Sequence, residues 1–304
     1  MEYKYNFSII IPHKNSINLL RRCLSSIPAR NDVQVIVVDD NSDPQLVDFD
    51  NFPYKNQPNI ELYFTKEGKG AGFARNIGLK HATGKWLLFA DADDYYTPEV
   101  SSLFDFYAEN NDFDIIYLNA QYVDDNENKT PYVSSFYINN FLKKKLWAES
   151  TLRYELWAPW TRMVKHSFIK KHNLRFEEIP IGNDLRFGLE SSKFAKKISA
   201  FPLIVYNYYR PINGSITAHK YSVQTYELRL NIAKWMNDFF KEVNYAFPRS
   251  YYNLFKLDSF ISINERNIAS NIKKTFIHRE KINYFHEYYK LSKRALAKIL
   301  KILS

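Results

Sequence analysis

Val33-Gln-Val-Ile-Val-Val-Asp-Asp-Asn-Ser42 joins a β-branched, largely apolar run to an abrupt polar cluster. A run of this kind reads as a strand buried on both faces, as in a parallel sheet. Two other segments repeat the design. Phe7–Ile11 ends in Pro12-His13-Lys14-Asn15, and Trp86–Ala90 ends in Asp91-Ala92-Asp93-Asp94. Helical signals separate them. Asn15 or Ser16 can cap a helix over Ile17–Ile27, where Leu19, Leu20, Cys23, Leu24 and Ile27 recur at helical spacing. Ala71–Ala82 reads as a second helix, entered through Gly68–Gly72. Ile60–Phe64 and Asp114–Asn119 read as further strands. Thr97-Pro98-Glu99 reads as a helix start, with a cap, a first-turn proline and an acid near the dipole. The alternation predicts an α/β fold, a mostly parallel sheet covered by helices on both sides. Residues 138–200 read as mainly helical and rich in aromatics, Ala200–Tyr209 as a strand, and the chain from Ser222 onward as helices.

The chain has 304 residues, of which 45% are apolar and 25% charged, a globular rather than a disordered composition. No apolar run approaches the ~18–20 residues of a membrane span. Met1–Asn6 lacks a basic segment followed by a long apolar one, so no secretion signal is expected. Cys23, the one cysteine, lies on an apolar helix face; it excludes an intrachain disulfide and suits a reducing cytoplasm. The net charge of +9 conceals an asymmetry. Residues 1–130 hold 12 Lys/Arg against 20 Asp/Glu, a net of −8, and the remainder carries +17. Such a basic back half points to an anionic partner: nucleic acid, a membrane surface or a phosphorylated substrate.

Ligands of open α/β sheets bind beyond the carboxyl ends of the strands, where the three polar clusters fall. Asp91 and Asp93 are spaced by two, so an extended backbone sends both side chains to one side. Paired carboxylates there suit a hard divalent cation. In the plainer reading they only begin a turn. The segment Gly68-Lys-Gly-Ala-Gly-Phe-Ala-Arg-Asn76 places three of the chain's eight glycines within five residues at a helix start, with Arg75 as a fixed charge. That arrangement suits phosphate, although it matches neither the dinucleotide-binding nor the P-loop spacing, and a flexible turn is the alternative.

Taken in order, Phe7–Asn15, Val35–Ser42, Gly72-Phe-Ala-Arg-Asn-Ile-Gly78 and Leu88-Phe-Ala-Asp-Ala-Asp-Asp94 resemble the family 2 glycosyltransferases, which have the GT-A fold, a Rossmann-like sheet flanked by helices, and use nucleotide-activated sugars. The resemblance is strong over residues 5–120. It continues more weakly through Trp157-Ala-Pro-Trp160, Phe168–Phe176, Gly182-Asn-Asp184 and Tyr206–Thr217. It implies a transferase domain over 1–220, with a nucleotide-sugar half (1–125) and an acceptor half (126–220); the helical, basic region over 221–304, read from the sequence itself, lies beyond the resemblance. It implies that Pro12, Lys14, Asp40, Gly70, Arg75 and Asp91 bind the nucleotide sugar, a UDP-sugar foremost. Asp93 would hold Mn²⁺ or Mg²⁺, with Asp91 and His219 as further ligands, so that Asp39, Asp40, Asp91, Asp93 and Asp94 surround a cation. Asp184 would be the base that takes the acceptor proton, although it could equally cap the helix from Leu185. The Glu that precedes this Asp in the family is Asn183 here. Trp157 and Trp160 would form an acceptor floor, or else pack in the core.

The implied reaction is inverting transfer to a hydroxyl of a glycan or polyprenyl-diphosphate-linked acceptor, in bacterial capsule, O-antigen or other surface-polysaccharide assembly. The expected location is the cytoplasm, or the inner face of the plasma membrane. Residues 271–304 hold nine Lys/Arg and two acids, and 290–303 drawn as a helix gather Lys290, Lys293, Arg294, Lys298 and Lys301 on one side. Such a helix can lie on an anionic membrane or pack on its own domain. Two other function classes compete with this one. Leu87–Asp93 also looks like the nucleophile motif of haloacid-dehalogenase-type phosphatases, though Asp94 stands where Thr or Val normally follows. A nucleic-acid-binding role could use the basic, aromatic back half, but no binding motif is visible and no nucleic-acid partner is expected.

Overall fold

Strand β1 (Tyr5–His13) runs parallel to β2 (Val33–Asp39) with Ile9 opposite Val35, and β2 carries β3 (Ile60–Phe64) on its other side. β4 (Gly84–Phe89) lies on the opposite flank of β1, so the chain changes direction across the sheet between β1 and β4. The computed structural model describes residues 3–52, 54–110, 112–212, 222–245 and 265–280. Among these, nine strands form one sheet in the order β3-β2-β1-β4-β8-β6-β9-β5, with β7 paired to β6. β6 (Ile115–Val123) and β9 (Ile198–Tyr209) are parallel. Antiparallel pairing enters through β5 (Tyr95–Tyr96), β7 (Lys129–Pro131) and β8 (Arg162–Lys165).

The continuous apolar runs are explained by cover on both faces. Phe7, Ile9, Val35, Val37, Trp86 and Leu88 join Leu20 and Leu24 of α1 (Ile17–Ser25) and Leu103 and Phe104 of α3 (Val100–Tyr107). The alternate residues Ile10, Ile36, Val38, Leu87 and Phe89 join Ala74 of α2 (Ala71–His81), Leu152 of α5 (Ala148–Glu155), Phe168 of α6 (His166–His172) and Phe187 of α7 (Leu185–Phe194). α4 (Val133–Leu142) completes that layer with Tyr137 and Ile138. This is the period-2 partition of a strand between two layers. Gln34, a polar residue inside β2, is buried because its side chain joins Ser8, Glu61, Thr83 and the His81 carbonyl. Cys23 is fully buried in the first cluster, and burial raises its thiol far above the ordinary range.

Several elements depart from the sequence reading. The span 138–200 is not uniformly helical: a 3-10 turn at Pro159–Thr161 leads into β8. Strands of two to four residues carry too little periodicity to stand out. α3 begins at Val100 with Glu99, not Thr97, at its N-cap position, and the Thr97 hydroxyl donates to the Ile204 carbonyl at 2.6 Å. α1 ends at Ser25 and has no side-chain cap bond at Ser16.

The chain divides into two compact units, residues 1–214 and 215–304. In the second, α8 (Val223–Glu242) and α9 (Arg266–Arg279) share a small core of Tyr226, Leu230, Ala269 and Phe276. The amphipathic helix expected over 290–303 lies outside the described residues, as does His219. Among the described residues no helix is long and apolar enough to cross a membrane.

Candidate active site

The ends of β1 and β2 are stitched together. His13 donates from Nδ1 to Asp39 Oδ1 at 2.8 Å, while its Nε2 accepts from the Ser16 N–H. Asp39 also accepts from the backbone and hydroxyl of Ser42. Asn15 and Asn41 take left-handed backbone conformations (φ 56° and 60°), which Asn tolerates. Asn15 then exchanges hydrogen bonds with Ser42 and Asp43. Asp39 is therefore a structural anchor and not one of the groups around a cation. Its carboxyl lies below the ordinary range because hydrogen bonds from His13 and Ser42 outweigh its burial.

Asp40, 3% exposed, accepts from Thr65 Oγ1 at 3.1 Å and from the Gly70 N–H at 2.7 Å. It shapes the turn that delivers α2, and any ligand contact would be added to those two bonds. Gly70 enters α2 at φ 92°, a conformation that favours glycine. Lys14 is exposed beside Gly68: a Cβ built there would lie 3.4 Å from Lys14 Nζ. Pro12 is buried within β1, opposite Val38.

The glycine segment works by close approach. A Cβ on Gly72 would fall 2.0 Å from the Glu177 carbonyl oxygen and 2.9 Å from Asn183 Cβ, so glycine lets α2 abut the loop that precedes α7. Asn76 pins that loop by exchanging two hydrogen bonds with the Phe176 backbone, each 2.9 Å. Arg75 completes the contact: one guanidinium nitrogen pairs with Asp91 at 2.5 Å, and another donates to Asn183 Oδ1 at 2.9 Å. Arg75 Nε is buried with no partner among the described residues. Asn183, where the family has Glu, thus ties the α7 loop to the cluster after β4.

Asp184 occupies the N-cap position of α7, yet its carboxylate makes no cap hydrogen bond. Burial raises its pKa, Arg75 opposes that rise, and Asp91 adds to it. From below, the fully buried Arg162 holds α7 by donating to the Gly188 carbonyl (2.6 Å), to Ser191 (2.8 Å) and to the Leu156 carbonyl. Gly188 lets Trp157 pack against the helix: a Cβ there would meet the Trp157 carbonyl oxygen at 2.1 Å.

The three aspartates after β4 have different surroundings. Asp94 is fully buried and structural, accepting from Tyr206 Oη and the Tyr209 N–H, each at 2.8 Å, and Tyr206 Oη in turn accepts from the Asp91 N–H. Asp94 is thus another correction to the expected ring of cation-facing acids. Arg22 clamps the turn by donating to the Asp93 carbonyl at 2.6 Å, with its guanidinium over the rings of Tyr95 and Tyr209. Burial and neighbouring Asp91 raise the Asp93 carboxyl. A raised carboxylate beside a second one fits a divalent cation, whose remaining ligands would be diphosphate and water oxygens. Among the described residues, no three His, Cys, Asp or Glu side chains converge as a complete protein-only metal site.

Trp160 is 6% exposed and stacks along Tyr206 and Tyr208 at 5.1 and 5.2 Å, with Tyr132 edge-on at 4.9 Å. It backs an aromatic wall, and the partly exposed rings are those of Tyr132 and Tyr208. Burial and the nearby aspartates push the Tyr208 hydroxyl up to about 12.

A family model described as glycosyl transferase family 2 matches residues 8–172. The chain belongs to glycosyl transferase family 2. This family 2 chain is 25% identical to the uncharacterized glycosyltransferase EpsJ of Bacillus subtilis over 70% of its length and 63% of that protein's, and it spans as little as 15% of another curated relative. Its fold matches the structure of Staphylococcus aureus TarS residues 1–349 in complex with UDP-GlcNAc, with a TM-score of 0.65, 22% identity, and coverage of 90% of this chain and 80% of that one. It also matches a mannosyltransferase of Pyrobaculum calidifontis in complex with GDP-Man and Mn²⁺, with a TM-score of 0.52, 15% identity, and coverage of 98% and 81%. The architecture is therefore the mixed α/β GT-A arrangement. Family membership replaces the phosphatase reading.

The sequence reading singled out Asp91, Asp93, Arg75 and Asp184, which the fold gathers at one end of the sheet. It gave no role to Asn76, Arg22 or Arg162, and it assigned Gly72 to phosphate approach, whereas Gly72 packs against the α7 loop. Gly72 and Asn76 lay inside a quoted motif, so a signal existed. The partners of Arg22 and Arg162 lie too far along the chain for spacing to indicate them.

Proposed function

We propose that this chain is an inverting glycosyltransferase that moves a sugar from a nucleoside-diphosphate sugar, a UDP-sugar foremost, to a hydroxyl of a glycan or lipid-linked acceptor in bacterial surface-polysaccharide assembly. The observation that carries this is the bridge from Asp91 through Arg75 to Asn183, which sets the candidate base Asp184 beside the candidate cation-binding carboxylates. Asp91 and Asp93 would hold Mn²⁺ or Mg²⁺, which when bound neutralises charge developing on the departing diphosphate.

The remaining work falls to the chain. Lys14, Gly70 and the N-terminus of α2 border the donor pocket, where backbone N–H groups and fixed positive charge favour phosphate. Arg75 holds Asp91 in place. Asp184 accepts the proton of the attacking hydroxyl; its raised pKa makes it a stronger base than an exposed carboxylate. Tyr132 and Tyr208 offer ring surface to the acceptor. A polymer acceptor is supported by the relative TarS of S. aureus, a poly(ribitol-phosphate) β-N-acetylglucosaminyltransferase 34% identical over 98 residues. UDP-GlcNAc in complex with one structural neighbour, and GDP-Man with Mn²⁺ in complex with the other, support a metal-assisted nucleotide-sugar donor.

The test is thermal denaturation against UDP-, GDP-, CMP- and dTDP-sugars with and without Mn²⁺. One donor is expected to raise Tm only when metal is present and only while Asp93 is intact. Equal stabilisation of wild type and Asp93→Ala would defeat the metal assignment. Full transfer activity in Asp184→Ala would defeat the base.

A further inference from the structure

The α4–α5 connection, Leu142-Lys-Lys-Lys-Leu-Trp147, is exposed at every residue. Leu146 is 103% exposed, Leu142 46% and Trp147 41%. Phe136 of α4, itself exposed, stacks on Trp147 with centroids 5.9 Å apart and planes at 22°. Four large apolar side chains gathered in water on one short stretch form a patch that a partner would cover. Lys143, Lys144 and Lys145 lie between them and make no ion pair among the described residues.

The backbone favours this display. The Lys144 N–H bonds the Phe141 carbonyl and the Lys145 N–H bonds the Asn140 carbonyl, closing α4 with a left-handed residue, Lys144, at φ 54°. Glycine is the usual occupant of that position. Here the chain carries a lysine in the strained conformation and so keeps three consecutive charges.

We propose that this connection docks the chain on an anionic lipid bilayer, with Leu146 and Trp147 entering the acyl boundary and the three lysines among the headgroups. The composition selects the occupant. Lysine is depleted at protein–protein interfaces, whereas bare Leu and Trp flanked by lysine belong to membrane interfaces, where the amine can snorkel to phosphate. The proposal uses none of the residues of the basic segment 271–304 and does not rest on the donor reading.

Co-sedimentation of the full chain with vesicles tests it, comparing phosphatidylcholine alone with phosphatidylcholine containing phosphatidylglycerol, at low and high salt. Binding is expected on the anionic vesicles alone and should weaken with salt. The triple variant K143Q/K144Q/K145Q should lower partitioning about a hundredfold, roughly fivefold per lysine. L146S/W147S should lower it as well, and both variants should melt like wild type because the side chains are exposed. Quenching of Trp fluorescence by brominated lipid should fall in W147F. Absence of binding, or unchanged binding in both multiple variants, overturns the assignment. A shift from dimer to monomer in L146S/W147S with vesicle binding intact would assign the patch to a second copy instead.

Discussion

Gly72→Ala is the sharpest test of how the site is assembled. The added methyl would be placed 2.0 Å from the Glu177 carbonyl oxygen, against an ordinary contact of about 3.4 Å or more, so α2 and the α7 loop must part by more than an ångström. The obstructing atom belongs to the backbone, and trimming the side chain of Glu177 or Asn183 cannot relieve it. Overpacking of this kind costs about 1–3 kcal/mol, which for a unit of some two hundred residues lowers Tm by about 2–12 °C. Function should suffer more than stability. The displacement falls on the bond from Arg75 to Asn183 and hence on the separation of Asp91 from Asp184, and a shift of about 1 Å in a catalytic group can cost about a hundredfold in rate. Differential scanning fluorimetry and an assay of nucleotide release from the donor would report both effects. A variant that melts within a degree of wild type and releases nucleotide at the wild-type rate would refute the close packing of α2 on the loop and the dependence of catalysis on it.

Other outcomes follow from the same geometry. Arg75→Ala leaves Asp91 without its guanidinium partner, and removing one member of a largely buried pair is expected to cost about 3 kcal/mol, read as a loss in a urea titration. Asp184→Asn should retain metal-dependent donor stabilisation while transfer falls by about 10²–10⁴. In the wild type, burial raises the Asp184 pKa, so the acid limb of the pH–rate profile should lie above the ordinary carboxylate value of about 3.9, with activity lost as pH falls through it. His166 is buried and donates to the Gly84 carbonyl, and burial lowers its pKa. The unfolded chain therefore binds the proton first, and stability should decline as pH drops below about 6.5. His166→Asn should flatten that slope in denaturation midpoints measured across the range.

The sheet was legible where its strands are long and buried on both faces. Val33–Val38 and Trp86–Ala90 carry unbroken apolar runs because helices cover them above and below. β5, β7 and β8 escaped notice because two to four residues cannot establish a period, and Thr97 looked like a cap because its hydroxyl was credited to the nearest helix when it serves β9. Among the acids, position beyond a strand end indicated Asp91 and Asp93 but did not distinguish them from Asp39 and Asp94. That distinction lies in partners brought by other elements: His13 for the former, Tyr206 and the Tyr209 backbone for the latter. Asp184 was reached through resemblance alone, since its neighbours Arg75 and Asp91 lie far back in the chain.

The hold of Tyr206 and Tyr209 on Asp94 has a consequence for how the protein could be cut. Homology outlines a segment that stops at His172, but the turn bearing Asp91 and Asp93 is fastened from β9, and Arg75 meets Asn183 beyond that limit. A fragment trimmed to the recognisable family segment would keep the candidate cation ligands in its sequence and lose the groups that aim them. The compact unit that holds these groups runs past β9, over residues 1–214, so inheritance and compactness draw different borders on the same chain.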